Sequence, residues 1–481
     1  MICIPITATK TKEALKDIKK AQEIADIIEI RLDINPDIEL LRRVKKPVIA
    51  TCRRKAEGGR FKGGEKKRLE LLKKAILLNP DFVDIELNSG PKAIEEIKGL
   101  IKHRKTKLII SFHDTKAVDK RRISRAYQSI KRSGPDVIKI AGFASSIDDN
   151  AAIFGLIKKA KKDKTKIIAI CMGDKGELSR VLGVPLGCFL TFGSLGEGKE
   201  SAPGQISAEV LKNVYRVNKL KDPKVFGLVG NPVNKSKGYL IHNASFTKKR
   251  LNAIYVNFLV DDVSSFINIY RDLFSGLSVT MPFKEGVINS LDKIDKTTGM
   301  IGAVNTVVKR NGRLKGYNTD YLGAVKALKQ RIRLKGKKAM IIGAGGVSKA
   351  IGYGLKSEGA EVFVTDIDTV KGKKLAKAAG FIFFKPEDIE NIGADIMINA
   401  TPVGMYPKVD RMPVDASVFR KGMVVFDCIY NPRMTKMLKV AKRKGAKGIS
   451  GIELFVNQAA LQFELWTKKN APIKMMNNLL K

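Results

Sequence analysis

Short apolar runs return along the N-terminal part of the chain at intervals of roughly 20 to 30 residues: ICIPIT (2–7), IIEIRL (27–32), PVIATC (47–52), FVDIEL (82–87), KLIISF (107–112), VIKIAG (137–142), KIIAICM (166–172) and CFLTFG (188–193). Between most of them lie Lys-rich segments of helical period, such as TKEALKDIKKAQEIA. Eight strands alternating with helices predict a (β/α)8 barrel, in which chemistry collects where strands end and loops begin. The polar residues fit that rule. Glu29 and Arg31 lie near the end of the second run, Arg53 and Glu57 just past the third, and His113 just past the fifth. Lys139 sits inside the sixth, and Arg180, Ser201 and Gln205 follow the seventh and eighth. All are expected at one mouth.

The segment VNKLKDPK (217–224) reads as a linker, after which the rhythm changes. KVFGLVG, AIYVNFLV and GLSVTMPF predict a small α/β domain. KKAMIIGAGGVSKAIGYGLKSEGAEVFVTD then reads as strand, glycine turn, helix and strand, the opening of a dinucleotide-binding unit. The expected fold is α/β throughout: a TIM barrel over 1–217, a substrate-binding domain over 224–325 with helices from 451–481 packing back on it, and a Rossmann domain over 326–450.

Composition narrows the class. The 481 residues are 44% hydrophobic and 29% charged, which describes a soluble globular chain of two or three domains. No apolar run reaches the roughly 18 residues needed to span a bilayer, and MICIPITA lacks the charged start of a signal peptide, so a cytoplasmic location is expected. The five cysteines show no C-x-x-C pair and no histidine at zinc-ligand spacing, which predicts free thiols and no metal. A formal charge of +42 keeps nucleic-acid binding open as a rival class. The lysines are nevertheless spread over nearly every predicted helix, a pattern that fits a solvated basic surface drawing in small anions.

Lys139 needs explaining, because it interrupts an apolar strand. Desolvation disfavours an ammonium ion, and a neutral amine can attack a ketone to form a Schiff base. The alternative is an ion-paired or snorkelling lysine. His113 can take a proton from carbon and return it to a leaving hydroxyl, and Glu57 is a candidate to hold its ring. With these residues in place, EIRLD, TCRRKAEGG, SFHD, VIKIA, SRVLG, TFG and SAPGQ resemble, in order and approximate spacing, the type I 3-dehydroquinate dehydratases. The resemblance implies that Lys139 forms the imine with the substrate ketone and that His113, oriented by Glu57, is the acid and base of the elimination. It further implies that Arg180 binds the carboxylate, while Glu29, Arg31, Arg53, Ser201 and Gln205 position hydroxyls and shape the pocket.

In the second half, IIGAGGVSKAIG follows a strand and opens a helix, so its glycines would admit a pyrophosphate at the helix N-terminus. GNPVNKSKGYLIHN, SVTMPFK, GAVNT, GYNTDYLG, NATPVGM, DCIYNP and GIELFVNQAALQFELW together resemble shikimate dehydrogenase. That resemblance implies a catalytic pair, Lys284 and Asp320, at the reacting carbonyl; a cation beside a developing alkoxide, fixed by a carboxylate, is sound chemistry. It assigns Ser236, Thr280, Asn305, Tyr430 and Gln458 to the substrate. It assigns Gly343, Ala344, Gly345, Gly346, Val347, Asp366, Asn399, Ala400 and Gly451 to the cofactor. His242 reads as structural.

Three departures stand out. Ser236-Lys237-Gly238 lacks the family's second serine, although Lys235 or Lys237 could compensate, and Ser278 stands where Asn is common. Asp366-Ile367-Asp368 replaces the N-R-T that grips a 2′-phosphate in NADP-specific members. Of NAD and NADP, the two carboxylates favour NAD, since they accept bonds from a ribose diol and repel a phosphate, while Lys371, Lys373 and Lys374 could rescue NADP.

The expectation is thus a bifunctional enzyme of the shikimate pathway. It would dehydrate 3-dehydroquinate to 3-dehydroshikimate through a lysine imine and reduce that product to shikimate with NAD(P)H. A quinate-oxidising, NAD-dependent C-terminal half and a non-catalytic metabolite-sensing regulator are the alternatives. The expected partners are these small anionic substrates, with neither membrane nor nucleic acid, and a homodimer is left open.

Overall fold

Along the strands of the N-terminal unit, the side chains of one face change from apolar to charged in steps of two. The chain is described here by a computed structural model over residues 1–480. Eight parallel strands, β1 (Ile2–Ile6), β2 (Ile27–Arg31), β3 (Val48–Thr51), β4 (Phe82–Glu86), β5 (Lys107–Asp114), β6 (Val137–Phe143), β7 (Ile167–Met172) and β8 (Thr191–Phe192), run in the order β7-β6-β5-β4-β3-β2-β1-β8. Cys3, Ile27, Ile49, Phe82, Ile109 and Val137 pack together as an apolar floor. Since side chains alternate with period 2, the residues two positions on share that inward face. They are Glu29, Thr51, Asp84, Ser111 and Lys139, and the next step brings Arg31, Arg53, Glu86 and His113. The floor lies at the N-terminal ends of the strands and the charges at the C-terminal ends, where barrels of this kind carry their chemistry.

Register sets the lateral neighbours. Glu86 pairs with Ser111, Ser111 with Lys139 and Lys139 with Ile168, forming one row across β4 to β7. The barrel is nearly closed: β8 has two residues, and Phe189 N donates to Ile167 O at 2.7 Å beside the β7 edge. The segment 217–224 is no free tether, because Val217 and Leu220 are buried and Asp222 N donates to Pro185 O.

Two units are distinguished by their internal packing, Met1–Val225 with Asn252–Arg271, and Phe226–Leu251 with Asp272–Lys481. In the second, Phe274–Val279 pairs antiparallel with Thr306–Arg310, which forms a hairpin with Arg313–Tyr317. A parallel sheet follows, built from β9 (Lys338–Ile342), β10 (Glu361–Thr365), β11 (Ile382–Phe383), β12 (Ile396–Asn399), β13 (Val424–Asp427) and β14 (Lys447–Ile449) in the order β11-β10-β9-β12-β13-β14. Apolar clusters cover both of its faces, so its central strands read as unbroken apolar runs. The order reverses between β9 and β12, and the crevice at such a switch point is where doubly wound sheets bind ligands.

Arg68, in the helix Glu65–Ile76, is 2% exposed and lies 3.0 Å from Glu86 Oε2 and 2.9 Å from Glu65 Oε1. Removing it leaves Glu86 fully buried with a missing counter-charge. Arg68→Ala is therefore expected to cost ~3–5 kcal/mol, read as a lowered urea midpoint at unchanged slope; a loss below ~1 kcal/mol would contradict this role for the pair.

Candidate active sites

The nine N-terminal residues expected at one mouth line a single cavity of about 310 Å³. Lys139 Nζ lies 2.8 Å from Asp84 Oδ2, 3.4 Å from Glu29 Oε1 and 4.6 Å from the Phe192 ring centre. The apolar setting expected from the sequence is thus only part of its surroundings, and in the resting geometry Lys139 is an ion-paired lysine. Arg53 donates to Asp84 Oδ2 (2.8 Å), Glu86 Oε1 (2.9 Å) and Ser111 Oγ (2.8 Å), and Ser111 Oγ donates to Asp84 Oδ1 (2.5 Å). Burial pushes the Asp84 carboxyl up, but Arg53 and Lys139 outweigh it and hold the group well below the usual carboxylate range.

His113 extends from β5 beside this network. Its Nδ1 lies 3.2 Å from Glu57 Oε2 and 3.2 Å from Arg53 Nη1, and its backbone N–H donates to the same Glu57 oxygen at 2.9 Å. Asn88 Nδ2 donates to the other Glu57 oxygen at 2.9 Å, so the carboxylate is held at both ends. Burial, joined by Arg53 and Lys139, holds the imidazole well below its ordinary 6.5. A neutral ring is a base at neutral pH.

Two buried donors in the cavity lack partners. Arg180, on the helix Glu177–Leu186, donates Nη2 to Pro203 O at 3.1 Å while its Nε bonds nothing. No carboxylate is paired with it, and burial brings its pKa down to about 10. Gln205 accepts from Ser201 N–H at 2.7 Å through Oε1, leaving Nε2 without a partner. Buried donors without acceptors are costly, so the pocket is built for a ligand that brings anionic or carbonyl oxygen. Arg31, by contrast, is paired with Asp33 through two bonds of 2.8 Å. Glu29 accepts from Thr51 Oγ1 at 2.9 Å.

In the second unit, Lys284 Nζ lies 2.6 Å from Asp320 Oδ2. Asp320 opens the helix Thr319–Lys329, which Asn318 caps by accepting from Asp320 N–H at 3.0 Å; a carboxylate suits a helix's first turn. Asn305, expected at the substrate, has its Oδ1 committed to Thr319 N–H at 2.7 Å and to the Thr306 hydroxyl at 2.8 Å. Ser278 Oγ donates to Gln462 at 2.8 Å and is buried. Ser236 Oγ accepts from Gly238 N–H at 3.2 Å. Tyr430 stacks on Phe455, and Gln458 donates to Phe455 O on the same helix, Gly451–Thr467. Thr280 N–H donates to Val229 O, fixing the turn that leads to Lys284. His242 is buried among Phe246 and Trp466, and burial brings its pKa down to about 3, which fits a structural role.

The glycine turn fits a dinucleotide. Gly343 has φ +102° and packs against Ala400 O and Thr401, while a Cβ at Gly345 or Gly346 would meet nothing within 4 Å. The open space over the start of the helix Gly346–Ser357 is the cradle a pyrophosphate needs. Val347 continues that helix. Ala344 N–H donates to Asp366 Oδ2 at 2.6 Å, and Asp368 N–H to Asp366 Oδ1 at 2.9 Å. Asp368 is itself a helix cap, accepting from Lys371 N–H at 3.0 Å, so one of its oxygens is committed and less of the carboxylate is free for a ribose. At Gly451 a Cβ would fall 2.4 Å from the Ile429 carbonyl carbon, so only glycine permits this helix start.

Several residues at these sites escaped sequence reasoning. Asp84 and Glu86 alternate in FVDIEL, where the apolar pattern predicts only a strand; two carboxylates at i and i+2 on an inward face are the available signal. Ser111 and Asn88 carried none. Asp427 was also missed: fully buried, it accepts from Asn399 Nδ2 (3.1 Å), Ile429 N–H (3.0 Å) and Thr435 Oγ1 (2.6 Å), tying the ends of β12 and β13 together.

Fold and sites define a two-activity enzyme, a barrel lyase joined to a Rossmann oxidoreductase. Residues 2–222 match the family of type I 3-dehydroquinases, 228–307 the shikimate dehydrogenase substrate binding domain and 451–481 the shikimate 5′-dehydrogenase C-terminal domain. Residues 333–444 match the NADPH-binding domain of acetohydroxy acid isomeroreductase. The chain is 36% identical to the chloroplastic bifunctional 3-dehydroquinate dehydratase/shikimate dehydrogenase of Arabidopsis thaliana, over 98% of this chain and 83% of that protein. It is 31% identical to the shikimate biosynthesis protein AroDE of Chlamydia pneumoniae, over 97% and 95%. The crystal structure of shikimate 5-dehydrogenase from Listeria monocytogenes, in complex with shikimate and NAD, superposes with a TM-score of 0.53 at 28% identity, over 55% of this chain and 98% of that one. The chain belongs to the bifunctional 3-dehydroquinate dehydratase/shikimate dehydrogenase family, and it is an enzyme of the shikimate pathway carrying both activities.

The depressed His113 fixes a pH dependence. If His113 serves the dehydratase as its base, protonation removes it, and kcat/KM is then expected to stay flat from pH 8 down past 6.5, with its acid limb below that value. The unfolded chain, with an ordinary histidine, takes up a proton that the folded chain refuses. This histidine's contribution to stability is therefore complete above 6.5 and lost as the pH falls beneath it. An acid limb centred at or above 6.5 in a pH–rate profile would contradict the assignment.

Proposed function

We propose that Lys139 is the nucleophile and His113 the acid–base of the dehydratase, and that Lys284 and Asp320 serve the reductase with NAD as the preferred cofactor. What carries the first assignment is a lysine, a neutral imidazole and two unpartnered donors in one cavity. Arg180 and Gln205 would take the carboxylate and hydroxyls of 3-dehydroquinate, placing its ketone at Nζ. Lys139 Nζ must first give up a proton, and Asp84, 2.8 Å away, is positioned to relay it. The amine then bonds to the carbonyl carbon, and the carbonyl oxygen leaves as water. His113 removes a proton from the carbon next to the imine, and the same ring returns that proton to the departing hydroxyl. Hydrolysis of the imine frees the product and restores the lysine. Glu57, fixed by Asn88, keeps the ring in line.

When bound, a reduced nicotinamide dinucleotide would supply the hydride to the carbonyl carbon. Lys284 donates to the oxygen as it becomes an alkoxide, and Asp320 holds the ammonium in position. Asp366, the carboxylate beside the glycine turn, supports NAD. The missing second serine at Gly238 makes quinate the alternative substrate worth testing. We place the enzyme in the cytoplasm, with its domains dividing near 217–224 and 325.

Borohydride added with 3-dehydroquinate is expected to trap a covalent adduct on Lys139. In Lys139→Ala the adduct should vanish while shikimate oxidation persists; an adduct that survives the substitution overturns the assignment. His113→Ala is expected to lower dehydratase kcat by about 10²–10⁴-fold.

A further inference from the structure

A second cavity, of about 340 Å³, opens at the C-terminal ends of β9 and β10, where Ile342, Thr365 and Asp366 border it. That volume lies within the range of about 300–1,000 Å³ typical of small-molecule sites. Its wall is apolar at Ile342 and Ile389, which suits contact with a heterocycle. Its rim carries four carboxylates, Asp366, Glu387, Glu390 and Asp415, and no lysine or arginine lines it. Ser417 ties two of them together, its hydroxyl donating to Glu390 and its N–H to Asp415. Thr365 supplies an independent sign of a ligand. It is 1% exposed, it borders the cavity, and its hydroxyl has no hydrogen-bond partner. A buried hydroxyl left unpaired at a cavity wall is satisfied when a ligand arrives.

We propose that Glu387, Glu390 and Asp415 complete, with Asp366, an acidic rim around the adenosine end of the cofactor site, admitting a free ribose 2′-hydroxyl and rejecting a 2′-phosphate. The inference rests on the assignment of NAD as cofactor and extends its cause beyond Asp366. Asp368 caps a helix, and both oxygens of Asp366 already accept backbone N–H groups. Asp366 keeps its negative charge, and the residues after β11 and β12 add three further carboxylates to it. The lysines that could have rescued NADP are not there. Lys371, Lys373 and Lys374 do not border the cavity, and Lys373 Nζ lies over the Phe383 ring. Thr365 would bond the adenosine whichever cofactor carries it.

The test uses the full-length enzyme, with shikimate as substrate. Inhibition by ADP and by adenosine 2′,5′-bisphosphate is measured against NAD, alongside kcat/KM for NAD and NADP. In Glu387→Gln/Glu390→Gln, binding of the 2′,5′-bisphosphate is expected to tighten by about tenfold or more, because like charges facing the phosphate are removed, while ADP changes by less than about threefold. Tighter binding is a gain that misfolding cannot produce. Thr365→Val should weaken both inhibitors alike. If the wild type prefers NAD and the double variant leaves the inhibitor ratio unchanged, the rim is refuted while the NAD assignment stands. If the wild type prefers NADP, both fall. If Thr365→Val changes neither inhibitor, the cavity is not the adenosine site.

Discussion

One carboxylate oxygen organises the barrel. Asp84 Oδ2 lies 2.8 Å from both Lys139 Nζ and Arg53 Nη2, and around it Glu86, Ser111, Arg68 and His113 take their places. Removing any one charge from water would cost several kcal/mol, and only a network in which each ion faces an opposite one makes so many tolerable in an interior. The floor of Ile, Val and Phe beneath them is ordinary packing. The layer above exists because the charges neutralise one another in register, strand by strand. Lys139 is held in that layer by Asp84, which Arg53 links to His113, so the placements of the lysine and the histidine are coupled.

The second unit meets the same demand by hydrogen bonding. Asp427 has no cation beside it; three donors, one at the end of β12 and two in the segment after β13, satisfy it, and burial pushes its carboxyl up. The loops that follow β12 and β13 are thereby fixed to each other. Asp320 and Asp368 both occupy helix starts, where backbone N–H groups favour a negative charge. One ends up against Lys284 and the other as a cap, a difference that follows from which neighbours reach each carboxylate.

Much of this was legible in the chain. The eight apolar runs became eight strands because a parallel strand covered on both faces must be apolar nearly throughout, and such runs are hard to mistake. Lys139, His113 and Arg180 were visible as charged or titratable groups at strand ends. Their companions were not. Asp84 and Glu86 look like charged residues in a half-exposed strand until the closure of the barrel turns their face inward. Thr365 reads as one more β-branched residue until its hydroxyl is seen to lack a partner. Val217 and Leu220 hide within a lysine-rich stretch that looks like a linker. Asp368 reads as a ribose ligand because a sequence cannot distinguish a cap from a binding group one turn away. In each case the missing information was which atoms the fold brings within about 3 Å, a property that spacing along the chain does not carry.

The unpartnered donors on Arg180 and Gln205 make the ligand-free barrel a molecule with an open account of hydrogen bonds. A ligand carboxylate that closes it binds the folded chain and not the unfolded one, so it adds RT ln(1 + [L]/Kd) to stability, about 2.7 kcal/mol at a hundredfold excess over Kd. The barrel's resistance to unfolding thereby rises and falls with the occupancy of this one pocket.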